Sequence, residues 1–134
     1  MNYRLAILGW ALVAPPTALA ADPKSVEEVA VICDAEVARL DRLSIRKAGD
    51  DARFDVDVAW RDPSLRPEGE PATRVIRYAA KCKDLTLALA SVSISDPQGR
   101  LLKKYLVPPG SAEFSRPADG SRGAEWIEQA CGLK

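Results

Sequence analysis

The stretch Arg53-Phe54-Asp55-Val56-Asp57-Val58-Ala59-Trp60 decides the fold class. Phe54, Val56, Val58 and Trp60 alternate with Arg53, Asp55 and Asp57. A period of two puts one apolar and one charged set on opposite faces, which predicts a strand with one wet face. Lys47-Ala48-Gly49-Asp50-Asp51 precedes it and reads as the turn of a hairpin. Beyond the loop Asp62 to Pro71, the same alternation returns in Arg74 to Cys82. There Ile76, Tyr78, Ala80 and Cys82 share an inner face, and Arg77 and Lys81 an outer one.

Leu85 to Ser95 continues the pattern. Its alanines and leucines suit a helix, but Ser91-Val92-Ser93-Ile94-Ser95 favours a strand in the second half. Asp96-Pro97-Gln98-Gly99 supplies turn residues at the positions a β-turn demands. Leu101 to Val107 is the returning strand, ended by Pro108-Pro109-Gly110 because proline has no N–H for a ladder. A second loop, rich in proline and glycine, runs from Pro108 to Gly123. In Gly123 to Cys131 the period changes: Trp126, Ile127, Ala130 and Cys131 fall on one helical face. The expected class is α+β, an antiparallel sheet of about five to six strands with a C-terminal helix packed on it.

The N-terminal side is ambiguous. Ser25 and Glu28 have capping-box spacing, and Val26, Val29, Ala30, Cys33, Val37 and Leu40 share a helical face. Read as strands, Val29 to Cys33 and Val37 to Leu40 form two short pieces around an Asp34-Ala35 turn.

The first twenty residues have the order of an export signal. Arg4 is the positive flank, and Leu5 to Ala14 an uncharged apolar run of ten residues. At about 1.5 Å per residue that run is too short for a bilayer core of about 30 Å. Pro15-Pro16 breaks it, and Ala18-Leu19-Ala20 offers a cleavage site before Ala21. Residues 1–20 are therefore expected to be a signal peptide and 21–134 a single domain. Stable membrane insertion is not expected. Nor is a lipid anchor, since the nearest cysteine, Cys33, lies well past the apolar run. The expected location is the periplasm or the outer cell surface.

Composition excludes more chemistry than it supports. Among 134 residues, nineteen basic balance nineteen acidic, and there is no histidine. A neutral chain has no overall field to draw it to nucleic acid. Without imidazole, Ser-His-Asp and Cys-His catalysis are unavailable. Metal binding by histidine is lost too, and the three cysteines lack zinc-cluster spacing. No metal or cofactor is expected. Asp55 and Asp57 share a strand face, as an acid/base pair would, yet a solvated face explains them. A serine nucleophile would need a lysine base, and Lys83 and Ser91 have no reason to meet. No enzymatic activity is expected.

Two features remain. Arg100, Lys103 and Lys104, with Lys81 and Lys83, flank adjacent strands and could bind an acidic partner. Lysines on an edge strand also block unwanted sheet pairing, which needs no partner. Cys82 ends a strand and Cys131 ends the helix; bridging them would stabilise by about 2–4 kcal/mol, with Cys33 a competing partner.

In their order, these pieces resemble the surface-adhesin protein E family of exported Gram-negative proteins. The matching residues are Asp41-Arg42-Leu43-Ser44-Ile45 with Gly49, the Phe54 to Trp60 strand, and Tyr78 with Cys82. They continue with Asp96 to Gly99, Pro108 to Ser111, and the closing Trp126 and Cys131. The likeness covers about Val29 to Cys131. It implies an antiparallel sheet carrying a helix, and strand pieces over Val29 to Leu40. It also implies adhesion to extracellular proteins, host matrix proteins among them. The partner-binding candidates are Arg77, Lys81, Lys103 and Lys104. The alternative expectation is a periplasmic structural or inhibitor-like protein of the envelope, presenting the loop Pro108 to Gly123.

Overall fold

The computed structural model describes residues 25–108 and 110–133. The proposed export signal, residues 1–20, lies outside them. A short helix α1 (Val26–Val29) leads into five strands: β1 (Glu36–Ala48), β2 (Asp51–Trp60), β3 (Thr73–Lys81), β4 (Thr86–Ser95) and β5 (Leu101–Leu106). Helix α2 (Arg122–Ala130) follows. The strands form one antiparallel meander in the order β1-β2-β3-β4-β5, so β1 and β5 are its edges. Among the described residues no helix is long and apolar enough to cross a membrane.

The deciding stretch behaves as its alternation requires. Phe54, Val56 and Val58 are fully buried, while Arg53, Asp57 and Ala59 face solvent. The turn into it contracts to Gly49 and Asp50, with Ala48 paired to Asp51. Gly49 takes φ +61°, which glycine adopts at no steric cost at the first position of a two-residue hairpin loop. Register then fixes both faces at once. Phe54 pairs with Tyr78 and Val56 with Ile76 on the inner face; Asp55 meets Arg77 and Asp51 meets Lys81 on the outer.

α2 closes the inner face. Ser121 caps it by accepting from the Ala124 amide, and it buries Trp126, Ile127 and Ala130. Trp126 joins Phe54 and Tyr78 in a ring cluster with centroids 6.5 and 5.7 Å away. The Cys82–Cys131 disulfide ties the β3–β4 turn to the end of α2 across 49 positions. Cys33 keeps a free, exposed thiol.

The ambiguous N-terminal segment resolves against both readings in part. The Ser25–Glu28 capping box starts a helix, but it lasts one turn. Val37 to Leu40 belong to β1, and Asp34-Ala35 is a turn, yet Val29 to Cys33 is not a strand. The cause is Arg74. Its position on β3 has inner-face parity, so the guanidinium is buried and must be satisfied there. It grips both carboxylate oxygens of Glu36 at 2.6 Å and donates to the carbonyls of Val29 and Val31. Those contacts tie the segment to β3 through its carbonyls. Glu36 also accepts from the Cys33 amide at 3.1 Å.

Candidate binding surface

With the inner face packed, two regions offer chemistry to a partner: the outer face of the sheet and its β5 edge. On the outer face, β2 and β3 hold cross-strand ion pairs. Arg77 donates from Nε to Asp55 Oδ1 at 2.8 Å and from Nη2 to Oδ2 at 3.2 Å. This contact holds the Arg77 guanidinium above its ordinary pKa. Lys81 Nζ bonds Asp51 at 2.6 Å and also sits 5.4 Å above the Phe114 ring. Asp55 and Asp57 do share a face, but both oxygens of Asp55 are engaged by Arg77. The Asp57 carboxyl is raised, first by partial desolvation and then by the charges of Asp41 and Asp55.

The four candidate cations are not one patch. Arg77, Lys81 and Lys104 share the outer face, and the first two are already paired. Lys103, one residue along β5, lies opposite Ile94 on the inner side, its ammonium 4.8 Å from the Tyr105 ring centroid. Arg100 is held in the β4–β5 turn by Asp96 at 2.8 Å.

What the reading of charges passed over on β5 is apolar. Leu101, Leu102 and Leu106 are 61%, 58% and 63% exposed. The signal was available: a sheet covered on one side by one helix leaves apolar residues of an edge strand without a lid. Ladder geometry also aims the main chain. The Val107 amide donates to the Ala90 carbonyl, so by alternation Lys103 and Tyr105 turn theirs to β4, while Lys104 and Leu106 turn theirs outward.

The opposite edge is built differently. β1 and β2 lose register between Asp41 and Arg46. There the Leu43 amide donates to Asp41 Oδ1 at 3.0 Å, and Arg46 donates to the carbonyls of Leu43 and Ile45 at 3.0 and 2.9 Å. Such an irregular, self-satisfied stretch in the middle of the edge hinders strand pairing there.

A serine–lysine spacing of the kind a lysine base would need does occur on β1. Ser44-Ile45-Arg46-Lys47 has the Ser-x-x-Lys pattern. However, Ser44 Oγ donates to the Asp41 carbonyl at 2.5 Å and accepts from the Asp55 amide at 2.7 Å. Lys47 Nζ donates to the Gly49 carbonyl at 2.8 Å. Both serve the backbone of the bulge and turn.

Two clefts flank the loop after β5. One, of about 450 Å³, lies among Tyr78, Leu87, Leu89, Val107 and Pro117. The other, of about 360 Å³, lies among Leu85, Arg116, Pro117, Ala124 and Ile127. Among the described residues no group of three acidic or cysteine side chains is placed to hold a metal ion. No protein-family model, curated protein or solved structure matches the chain.

Proposed function

We propose that this chain is an exported, non-enzymatic binding module that adheres to extracellular proteins, in the manner of the surface-adhesin protein E family it resembles. The observation that carries this reading is β5, where three exposed leucines border Lys103 and Lys104 on an edge strand. Lysines alone would serve to repel other sheets, but a purely protective edge has no use for uncovered leucines. The Cys82–Cys131 disulfide is compatible with an oxidising location. The test has two parts. External protease or antibody should reach the protein on intact cells as well as in lysates. Purified protein should bind an immobilised host matrix protein saturably and less tightly at high salt. Protection until lysis, with no such binding, refutes adhesion.

One observation favours the alternative of an inhibitor-like envelope protein. Ser115 exchanges two main-chain hydrogen bonds with Leu87, at 2.9 and 3.0 Å. They fix the loop after β5 to the sheet, and a fixed, proline-stiffened loop is suited to enter a partner's cleft. Deleting residues 111–118 should abolish partner binding on this reading and spare it on the first.

A further inference from the structure

We infer that the β5 edge receives an extended, acidic segment of a partner protein as an added strand, continuing the sheet beyond its fifth member. This rests on the binding-module reading and specifies its contact. Three observations converge. First, β5 is an edge whose Lys104 and Leu106 amides face outward, and among the described residues no backbone bond occupies that side. Main-chain hydrogen bonding to such an edge gives affinity without demanding a particular sequence. Second, the other edge is interrupted at its middle by the bulge between Asp41 and Arg46, where the Leu43 amide and the Leu43 and Ile45 carbonyls are already taken, so β5 is the more regular of the two edges. Third, the side chains select the occupant. Leu102 and Leu106 offer apolar contact, while Lys103 and Lys104 put adjacent positive charges at the centre of the strand. A second copy pairing antiparallel about that centre would set lysine against lysine, which is unfavourable. A strand with aspartate or glutamate at its centre and apolar residues beside them meets both requirements.

The probes are two ten-residue synthetic peptides, a valine–glutamate peptide with two adjacent glutamates at its centre between valines and a valine–lysine peptide with two adjacent lysines there. Each is titrated into ¹⁵N-labelled protein while amide exchange is followed residue by residue. The valine–glutamate peptide should slow exchange at Lys104 and Leu106, and should bind on the order of tenfold more tightly than the valine–lysine peptide. Lys104→Pro removes an outward amide and should abolish the protection. Lys104→Thr removes the charge but keeps the amide, and should weaken it. Circular dichroism establishes that each variant keeps its sheet, and should Lys104→Pro lose it, Lys103→Glu with Lys104→Glu takes its place, with the peptide preference reversed. Equal affinity for the two peptides, protection on β1 instead, or no protection at β5 overturns the inference. So does a concentration-dependent dimer that protects the same amides without peptide. A protein that binds matrix protein on intact cells but shows any of these results remains a binding module with a different contact. Failure of the matrix-binding assay, with peptide protection intact, refutes adhesion and leaves strand addition standing.

Discussion

Replacing Arg74 with methionine should cost more than any other single substitution on β3. The side chains of Arg74 and Glu36 are each 7% exposed, and the guanidinium holds both carboxylate oxygens at 2.6 Å. Removing one member leaves the other charge buried without its counterion, at about 3–5 kcal/mol. Arg74→Met further strips the Val29 and Val31 carbonyls of a donor. Val31 is exposed, so water can replace part of that loss, and about 1 kcal/mol is added. With a urea slope of about 1.5 kcal/mol per molar, the midpoint should fall by about 3–4 M. Glu36→Leu alone should cost about 3 kcal/mol or more by the same reasoning. The double variant should be less damaged than either single one, because no uncompensated charge remains and only carbonyls lack partners. Urea unfolding of the four proteins closes the cycle. Additive costs, or an Arg74→Met cost below about 1 kcal/mol, would show that the pair does not pin the N-terminal crossing.

Other perturbations test other parts of the fold. Converting Cys82 and Cys131 to alanine releases a loop with 49 positions of separation and should cost about 4 kcal/mol, read as a urea midpoint that no longer responds to reductant. Trp126→Ala removes a side chain packed against Phe54 and Tyr78 and should cost about 3–5 kcal/mol by thermal or urea unfolding, with loss of the near-ultraviolet aromatic signal. Asp57→Asn should stabilise slightly at pH 7, by a few tenths of a kcal/mol at roughly this exposure. The sign follows from its raised folded pKa: the native state disfavours the ionised form, a penalty complete above that pKa and absent below the unfolded one. The advantage of asparagine should therefore vanish on acidification; an advantage that persists in acid would point to another cause.

The sheet was legible because its faces differ. Phe54, Val56 and Val58 against Arg53, Asp55 and Asp57 leave one way to lie, and the Ile76–Tyr78–Ala80 set follows the same parity. Helix α2 was legible from the change of period at Trp126. The segment before β1 was not, because its conformation is decided by a residue some forty positions away. No local pattern in Val29 to Cys33 announces that Arg74 will take two of its carbonyls. Yet Arg74 itself was a clue: a charge in phase with Ile76 and Tyr78 must find a partner inside. The binding candidates fared unevenly for a similar reason. Lys103 and Lys104 are neighbours in sequence but belong to opposite sides of a strand, and Arg77 and Lys81 meet acids on β2 that only the register brings opposite.

The Cys82–Cys131 bond also makes a covalent ring of β4, β5, the loop that follows and α2, leaving β1, β2 and β3 outside it. One cut anywhere between the two cysteines opens the ring without releasing a fragment. A protease acting on the loop after β5 would thus leave a molecule of nearly unchanged mass on a non-reducing gel. The pieces would part only once the bond is reduced. Shaving of intact cells must accordingly be read after reduction, or a fully accessible protein will pass for a protected one.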